Sequence, residues 1–428
     1  MTYYIIVIGC QMNVADSERL AAYLESNGYT LALDENKADV VIITTCGVKQ
    51  SAEDRAYGIV NQLKKKNKKA TIVITGCLSE RPDVKRRLKG QVDIWLPTIQ
   101  METLLEQIKK SRPSDAKIDP RNYLKIAPKY QSTFTAYVPI GNGCNNFCSY
   151  CAVPYARGRE VYRPAGEIVK EVKDLLGRGF KEIVLLAQNV NSYKSGTVDF
   201  PKLLEKVNAL PGNFWLRLFS SHPKDMSGAL IKTMAKCDKL CEHVHLAVQS
   251  GDDKILQAMN RKYTSAHFQD LIVKIRKAMA KRSVPVAITT DVIVGFPGEG
   301  KKEFKNTLKL FKDVKFDLAY VSKYSPRFGT VASKMKDDVP LVEKKLREQE
   351  LGALLKKTAL ANNKSYLHKT VDVLLEGRNR HGQLYGKTRT YKFVTLEDSK
   401  KIGDDLIGQI VKIKINQVRE FALEGKLV

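Results

Sequence analysis

Three times in the first eighty residues a short β-branched run leads straight into a cysteine. Tyr4-Ile5-Ile6-Val7-Ile8-Gly9 precedes Cys10, Val41-Ile42-Ile43-Thr44-Thr45 precedes Cys46, and Thr71-Ile72-Val73-Ile74-Thr75-Gly76 precedes Cys77. Each run, like a fourth at 92–96, is followed by helical periodicity, an alternation that predicts parallel strands covered by helices. In an open parallel sheet the carboxyl ends of the strands share one edge, where ligands bind, so thiols dozens of residues apart are expected to converge there. Three thiolates without a fourth protein ligand suit an iron–sulfur cluster with one open iron better than a structural zinc, which wants a closed shell of four. Buried packing cysteines are the alternative, and three equivalent turns weigh against it.

A second alternation starts at Phe134. Strands are expected at 134–140, 182–187, 214–219, 242–248, 285–294 and 317–324, with helices at about 165–178, 200–209, 264–281 and 301–313. Right-handed crossovers of this kind close toward a partial (β/α) barrel. A long basic helix at 341–362 follows, and then short strands with Gly-rich turns at 370–375, 383–386, 392–396 and 409–418, which read as a small all-β barrel. The chain is thus α/β in class. The expected organisation is an N-terminal open parallel α/β sheet domain (1–112), a linker (113–133) where periodicity fails around Ser111-Arg112-Pro113 and Ala127-Pro128-Lys129, the barrel domain (134–362) and the terminal β-barrel (363–428).

Lys and Arg number 72 against 46 Asp and Glu in 428 residues, a net charge of +26. The excess is spread along the chain rather than held in one tail, and points to a polyanion, with nucleic acid foremost. Apolar runs are too short to cross a membrane, and the opening residues lack a signal pattern, so the cytosol is the expected compartment. There, eight cysteines are read as ligands or catalysts before structural disulfides.

The segment Gly141-Asn142-Gly143-Cys144-Asn145-Asn146-Phe147-Cys148-Ser149-Tyr150-Cys151 follows the first strand of the second alternation. Its spacing lets one loop hold three irons of a four-iron cluster and leaves the fourth available, whereas zinc would lack a fourth ligand. Gly141 and Gly143 are expected to let backbone approach that cluster. This Cys-x-x-x-Cys-x-x-Cys loop resembles the radical S-adenosylmethionine superfamily. The resemblance implies that the open iron chelates the methionine moiety, that one electron cleaves the sulfonium to a 5′-deoxyadenosyl radical, and that Tyr150 lies near the adenine.

Taken with the strand-end triad and the terminal barrel, which looks like the RNA-binding TRAM module, the whole chain resembles the methylthiotransferases. The stretches Gly9 to Glu18, Pro154 to Glu160 and Gln188-Asn189-Val190-Asn191-Ser192-Tyr193 are most similar to the branch that methylthiolates N6-isopentenyladenosine at tRNA position 37, although Thr44, Ala187 and Tyr162 replace its usual residues. The resemblance implies two [4Fe-4S] clusters, one on Cys10, Cys46 and Cys77 and one on Cys144, Cys148 and Cys151, with no separate catalytic side chain. It also implies an S-adenosylmethionine cleft that includes Tyr150, Gln188, Asn189, Gln249, Ser250 and Asp291.

Arg157, Arg159 and Arg163 follow the cluster loop, where guanidinium groups could clamp phosphate beside a flipped adenosine; salt bridges are the other reading. Expected partners are a tRNA anticodon stem-loop, a reducing electron donor of the flavodoxin or ferredoxin type, and sulfur-supply or cluster-assembly proteins, with no membrane and a monomeric chain. A sister enzyme acting on threonylcarbamoyladenosine, a ribosomal-protein aspartate methylthiotransferase and a non-catalytic iron–sulfur RNA-binding regulator remain open as alternatives. Cys237 and Cys241 with His243 and His245 are read as packing rather than a metal site. Gly295 to Gly300 lacks the Lys-Ser or Lys-Thr of a phosphate-binding loop.

Overall fold

The computed structural model describes residues 1–109 and 119–428; the boundary expected at 112 and the start of the linker, 113–118, lie outside the described residues. The N-terminal sheet has five parallel strands in the order Thr30–Leu31, Thr2–Val7, Val40–Thr45, Thr71–Gly76 and Ile94–Leu96. The three cysteine-bearing strands are therefore immediate neighbours. Every residue of the central strand Val40–Thr45 is buried, because helices cover both faces of a parallel sheet. Side chains alternate between the faces. Val41 and Ile43 pack with Ala56, Tyr57 and Val60 of helix Gln50–Lys66, while Val40 and Ile42 pack with Leu20 and Leu24 of helix Gln11–Ser26.

Residues 119–133 are more than the bare linker expected. A short helix, Asn122–Lys125, buries Tyr123 and Leu124 in the same N-terminal core. The backbone N–H groups of Lys129 and Gln131 donate to Glu18, one to its carbonyl and one to its side chain. Two apolar side chains in a single turn are too few to show a period, yet enough to dock a segment.

Six parallel strands follow in chain order around an arc. Thr135–Pro139, Glu182–Leu186 and Trp215–Leu218 form one trio, and His243–His245, Ala287–Val294 and Leu318–Lys323 the other. Parallel bridges at Leu216–Leu240 and Ser221–Leu246 join the trios. No pairing joins the first strand to the sixth among the described residues, so the barrel is partial. The N-terminal domain reaches both edges of that opening. Met12 and Ala15 pack against Tyr137, Val184 and Leu186 at one edge. At the other, Lys49 lies over the Tyr320 ring and Arg327 pairs with Glu53.

Helix Leu341–Asn363 leads into a closed five-stranded barrel of Thr370–Arg378, Leu384–Thr388, Phe393–Leu396, Ala422–Leu427 and Ile410–Val418. Its fifth strand, Ala422–Leu427, was not expected from the sequence. A turn of this barrel seals the amino-terminal end of the (β/α) arc: Arg217 donates to the carbonyls of Thr388 and Arg389, Arg389 pairs with Glu242, and Lys392 pairs with Asp317. The opposite, carboxyl-terminal end is the one left for chemistry, as the strand-end position of the cysteines requires.

Candidate metal centres and cofactor cleft

Cys10 ends the loop before helix Gln11–Ser26, and its carbonyl accepts from Asn13 N at 2.9 Å. The three thiol-bearing turns are stacked side by side. A Cβ on Gly9 would lie 2.9 Å from Cys46 Cβ, and one on Gly47 would lie 3.2 Å from Cys77 Cβ. Cys46 and Cys77 are buried and Cys10 is at the exposed rim. Burial pushes the Cys46 thiol up, and the neighbouring Cys77 and Cys10 push it the same way. Thiols crowded together in this way are a donor set that a multiply charged cation relieves. Among the described residues no three His, Cys, Asp or Glu groups gather tightly enough around one point for a single ion. The all-thiol donor set fits a four-iron cluster with one open position.

The second triad lies on the loop after strand Thr135–Pro139. Cys144 N donates to Gly158 O at 3.1 Å and Cys151 N to Cys148 O at 3.0 Å. Phe147 takes a left-handed conformation (φ 46°) that turns the loop between the first two thiols. Burial, with Glu160 and Cys148 adding to it, pushes Cys144 up to about 11. Burial also raises Cys151, whose neighbours in the electrostatic sense are Cys148, Cys144 and, from the other domain, Cys77. The two cysteine loops meet at the domain interface, where Arg157 past Cys151 donates to Asn13 and Asp16 past Cys10.

Gly141 and Gly143 also serve a contact within the protein. A Cβ on Gly143 (φ +84°) would fall 2.2 Å from Arg159 O, and one on Gly141 would fall 2.4 Å from the Tyr162 ring. Both glycines make room for the chain at 158–162, which folds back over the loop.

Around this loop, Gln188 Oε1 accepts from Gly143 N at 2.6 Å. Tyr150 packs beside Ile255, Met259, Phe296 and Tyr324. Gln249 adopts φ 71° and its backbone N–H donates to Asp291 O at 2.8 Å, while the Asp291 carboxylate meets His245 Nε2 at 3.0 Å. Asn189 and Ser250 are buried, Asn189 donating to Asp225 at 2.7 Å and Ser250 lying 3.4 Å from the Thr307 hydroxyl.

The chain matches the Radical SAM superfamily over residues 138–311, Uncharacterized protein family UPF0004 over 2–97 and the TRAM domain over 364–428. It is 40% identical over 448 residues to the tRNA-2-methylthio-N(6)-dimethylallyladenosine synthase of Clostridium novyi (strain NT), covering 100% of this chain and 96% of that relative. The chain belongs to that family. The enzyme of the same name from Thermoanaerobacter sp. (strain X514) is 41% identical, with 100% and 92% covered. Among solved structures, the radical S-adenosylmethionine methyltransferase TsrM from Kitasatospora setae superposes with TM-score 0.56 at 14% identity, covering 78% of this chain and 77% of that one. OxsB, a cobalamin-dependent S-adenosylmethionine radical enzyme, gives 0.53 at 12% identity, covering 82% and 56%. Those two likenesses establish the shared fold.

Within this methylthiotransferase, two of the three arginines expected at phosphate are instead internal. Arg157 is 3% exposed; it donates to Asp16 Oδ2 at 2.7 Å, Asn13 Oδ1 at 3.0 Å and Asn142 Oδ1 at 3.1 Å. Arg163 is 6% exposed and is held by Glu171 at 2.6 Å and Pro139 O at 3.0 Å. A guanidinium enclosed with a carboxylate has no face left for phosphate, so the salt-bridge reading holds for both. Arg159 alone of the three is exposed, lying 4.4 Å over the Phe147 ring.

His243 and His245 both meet the Thr289 hydroxyl, at 2.9 and 3.0 Å, and Cys237 and Cys241 are buried, consistent with packing. Sequence reasoning missed Asp16, Asn13 and Asn142, which hold Arg157 between the domains, and Arg261, which touches Cys148. The only local signal was the position of Asn13 and Asp16 on the first turns after Cys10.

Proposed function

We infer that the chain methylthiolates carbon 2 of N6-dimethylallyladenosine in tRNA, at position 37 beside the anticodon. The observation that carries this reading is the joining of the two cysteine loops across the domain interface, where Arg157, just past Cys151, donates to Asn13 and Asp16, just past Cys10. When bound, the cluster on Cys144, Cys148 and Cys151 supplies the electron for reductive cleavage of S-adenosylmethionine, and the one on Cys10, Cys46 and Cys77 supplies the sulfur that is transferred. The hydrogen on carbon 2 is not acidic enough for a side-chain base, which accounts for the lack of any required acid–base pair.

The protein's own part is placement. Gln188 and the 158–162 segment hold the Cys144 loop, Arg157 locks that loop's helix to the helix that follows Cys10, and Tyr150, Gln249 and Asp291 line the approach to the carboxyl end of the barrel. Arg159 is the arginine available to a phosphate. On the terminal barrel, Phe393 is 37% exposed and stacks on Tyr385 at 5.0 Å and 17°, a surface on which a base can stack. An external low-potential donor of the flavodoxin or ferredoxin type supplies electrons, and sulfur-supply or cluster-assembly proteins renew the sulfur. The work is placed in the cytoplasm, where tRNA is; no described helix is long and apolar enough to cross a membrane.

The deciding experiment offers the anaerobically reconstituted protein two anticodon stem-loops, one with N6-dimethylallyladenosine and one with threonylcarbamoyladenosine. Methylthiolated product is expected from the first at least a hundredfold over the second, by mass spectrometry of the digested nucleosides. Preference for the second assigns the chain to the sister activity, and S-adenosylmethionine left intact assigns it to a binding role. Phe393→Ala is expected to weaken stem-loop binding by roughly tenfold, the range of one lost base stack of about 1–3 kcal/mol, as measured by filter binding at fixed salt. An unchanged affinity would remove this stack from the RNA surface.

A further inference from the structure

We propose that Arg261 sets the reduction potential of the cluster held by Cys144, Cys148 and Cys151, as a positioning residue acting through Cys148; this rests on the reading that those thiols carry a four-iron cluster. Arg261 lies in the turn after helix Asp253–Ala258 and is 7% exposed. Its Nη1 donates to Cys148 Sγ at 3.4 Å, Nη2 to Ala247 O at 2.5 Å and Nε to Tyr263 OH at 2.8 Å. The Tyr263 hydroxyl in turn donates to Val248 O at 2.8 Å. All three nitrogens are used, so the planar fork has one orientation, with one arm aimed at sulfur.

The same turn grips the loop backbone. Asn260, in a left-handed conformation (φ 56°), donates to Phe147 O at 2.9 Å; Ser149 N donates to Met259 O at 3.0 Å and Ser149 Oγ to Ala258 O at 2.7 Å. The distance from Arg261 to Cys148 is therefore held by contacts on both sides of the thiol.

The charge balance points the same way. Among the described residues Arg261 forms no ion pair with a carboxylate, although a buried guanidinium is costly without a counter-charge. With a cluster bound, Cys148 ligates as a thiolate and becomes the anion within reach. Reduction adds one electron from a low-potential donor to the cluster, with no bond made or broken and no proton moved. A fixed cation and an N–H···S contact beside a ligand sulfur stabilise the more negative, reduced form and raise the potential.

The test is a potentiometric titration with dithionite, followed by electron paramagnetic resonance, on the anaerobically reconstituted full chain. A Cys10→Ala, Cys46→Ala, Cys77→Ala background confines the signal to one cluster, and iron and sulfide are assayed on every sample. Arg261→Gln is expected to make reduction about tenfold less favourable, a fall of about 59 mV for one electron. Arg261→Lys, which keeps the charge and loses the fork, is expected between it and the parent. An unchanged potential in Arg261→Gln with four irons retained overturns the proposal. Should Arg261→Gln not retain iron, Arg261→Lys decides, a lowered potential supporting the proposal and an unchanged one overturning it. A parent background without a cluster signal overturns instead the assignment of the cluster to these thiols.

Discussion

Cys148→Ala is expected to reduce S-adenosylmethionine cleavage to background while the strand-end triad keeps its four irons, and Cys46→Ala is expected to do the converse, leaving cleavage and abolishing methylthio transfer. The reason is structural. Cys148 is buried on a loop pinned by Gln188, Asn260 and Met259, whereas Cys46 belongs to a stack of three turns built on adjacent strands of another domain. Each triad is folded by its own core, so loss of one ligand empties one site. The readouts are iron and sulfide content, 5′-deoxyadenosine formed and methylthiolated nucleoside formed. Loss of both clusters in either single variant would sink the assignment of two independent sites.

The second large effect is expected at Arg157. Its guanidinium and the Asp16 carboxylate are both enclosed, 2.7 Å apart, between the helix after Cys10 and the helix Val153–Arg157 after Cys151. Arg157→Met leaves that carboxylate buried without a cation, which costs about 3–5 kcal/mol. Adding Asp16→Asn removes the stranded charge and is expected to recover part of the thermal stability. Methylthio transfer should stay low in both variants while 5′-deoxyadenosine still forms, because the pair also sets how one triad faces the other. Thermal unfolding and product analysis read the two effects separately. Full activity in the double variant would show that the interface is held in register without this pair.

Much of this protein could be read along the chain. The six cysteines stand at strand ends and in one tight loop, and ligand chemistry of that kind depends on residue type and local spacing, which a sequence carries in full. The two β/α alternations were legible for the same reason, since period and β-branching are local. The strand Ala422–Leu427 escaped because it is short, interrupted by Gly425 and bounded by no clear turn; it forms because pairing with Ile410–Val418 and Phe393–Leu396 closes the barrel.

What only the tertiary structure decided is which residues face each other. Arg157, Arg159 and Arg163 look alike as a basic run after a cluster loop, yet Arg157 is sealed against Asp16 of the first domain, Arg163 against Glu171 on the helix that follows it, and Arg159 is left at the surface. Arg261 sits 113 residues from Cys148 with nothing nearby to mark it. The domain that carries the first triad covers the opening of a barrel that carries the second, and so brings Cys77 toward Cys151. Identity and local period are properties of the chain, whereas burial and charge pairing belong to whatever folds over it, which for Arg157 is another domain and for Arg163 and Arg261 a different part of the same barrel.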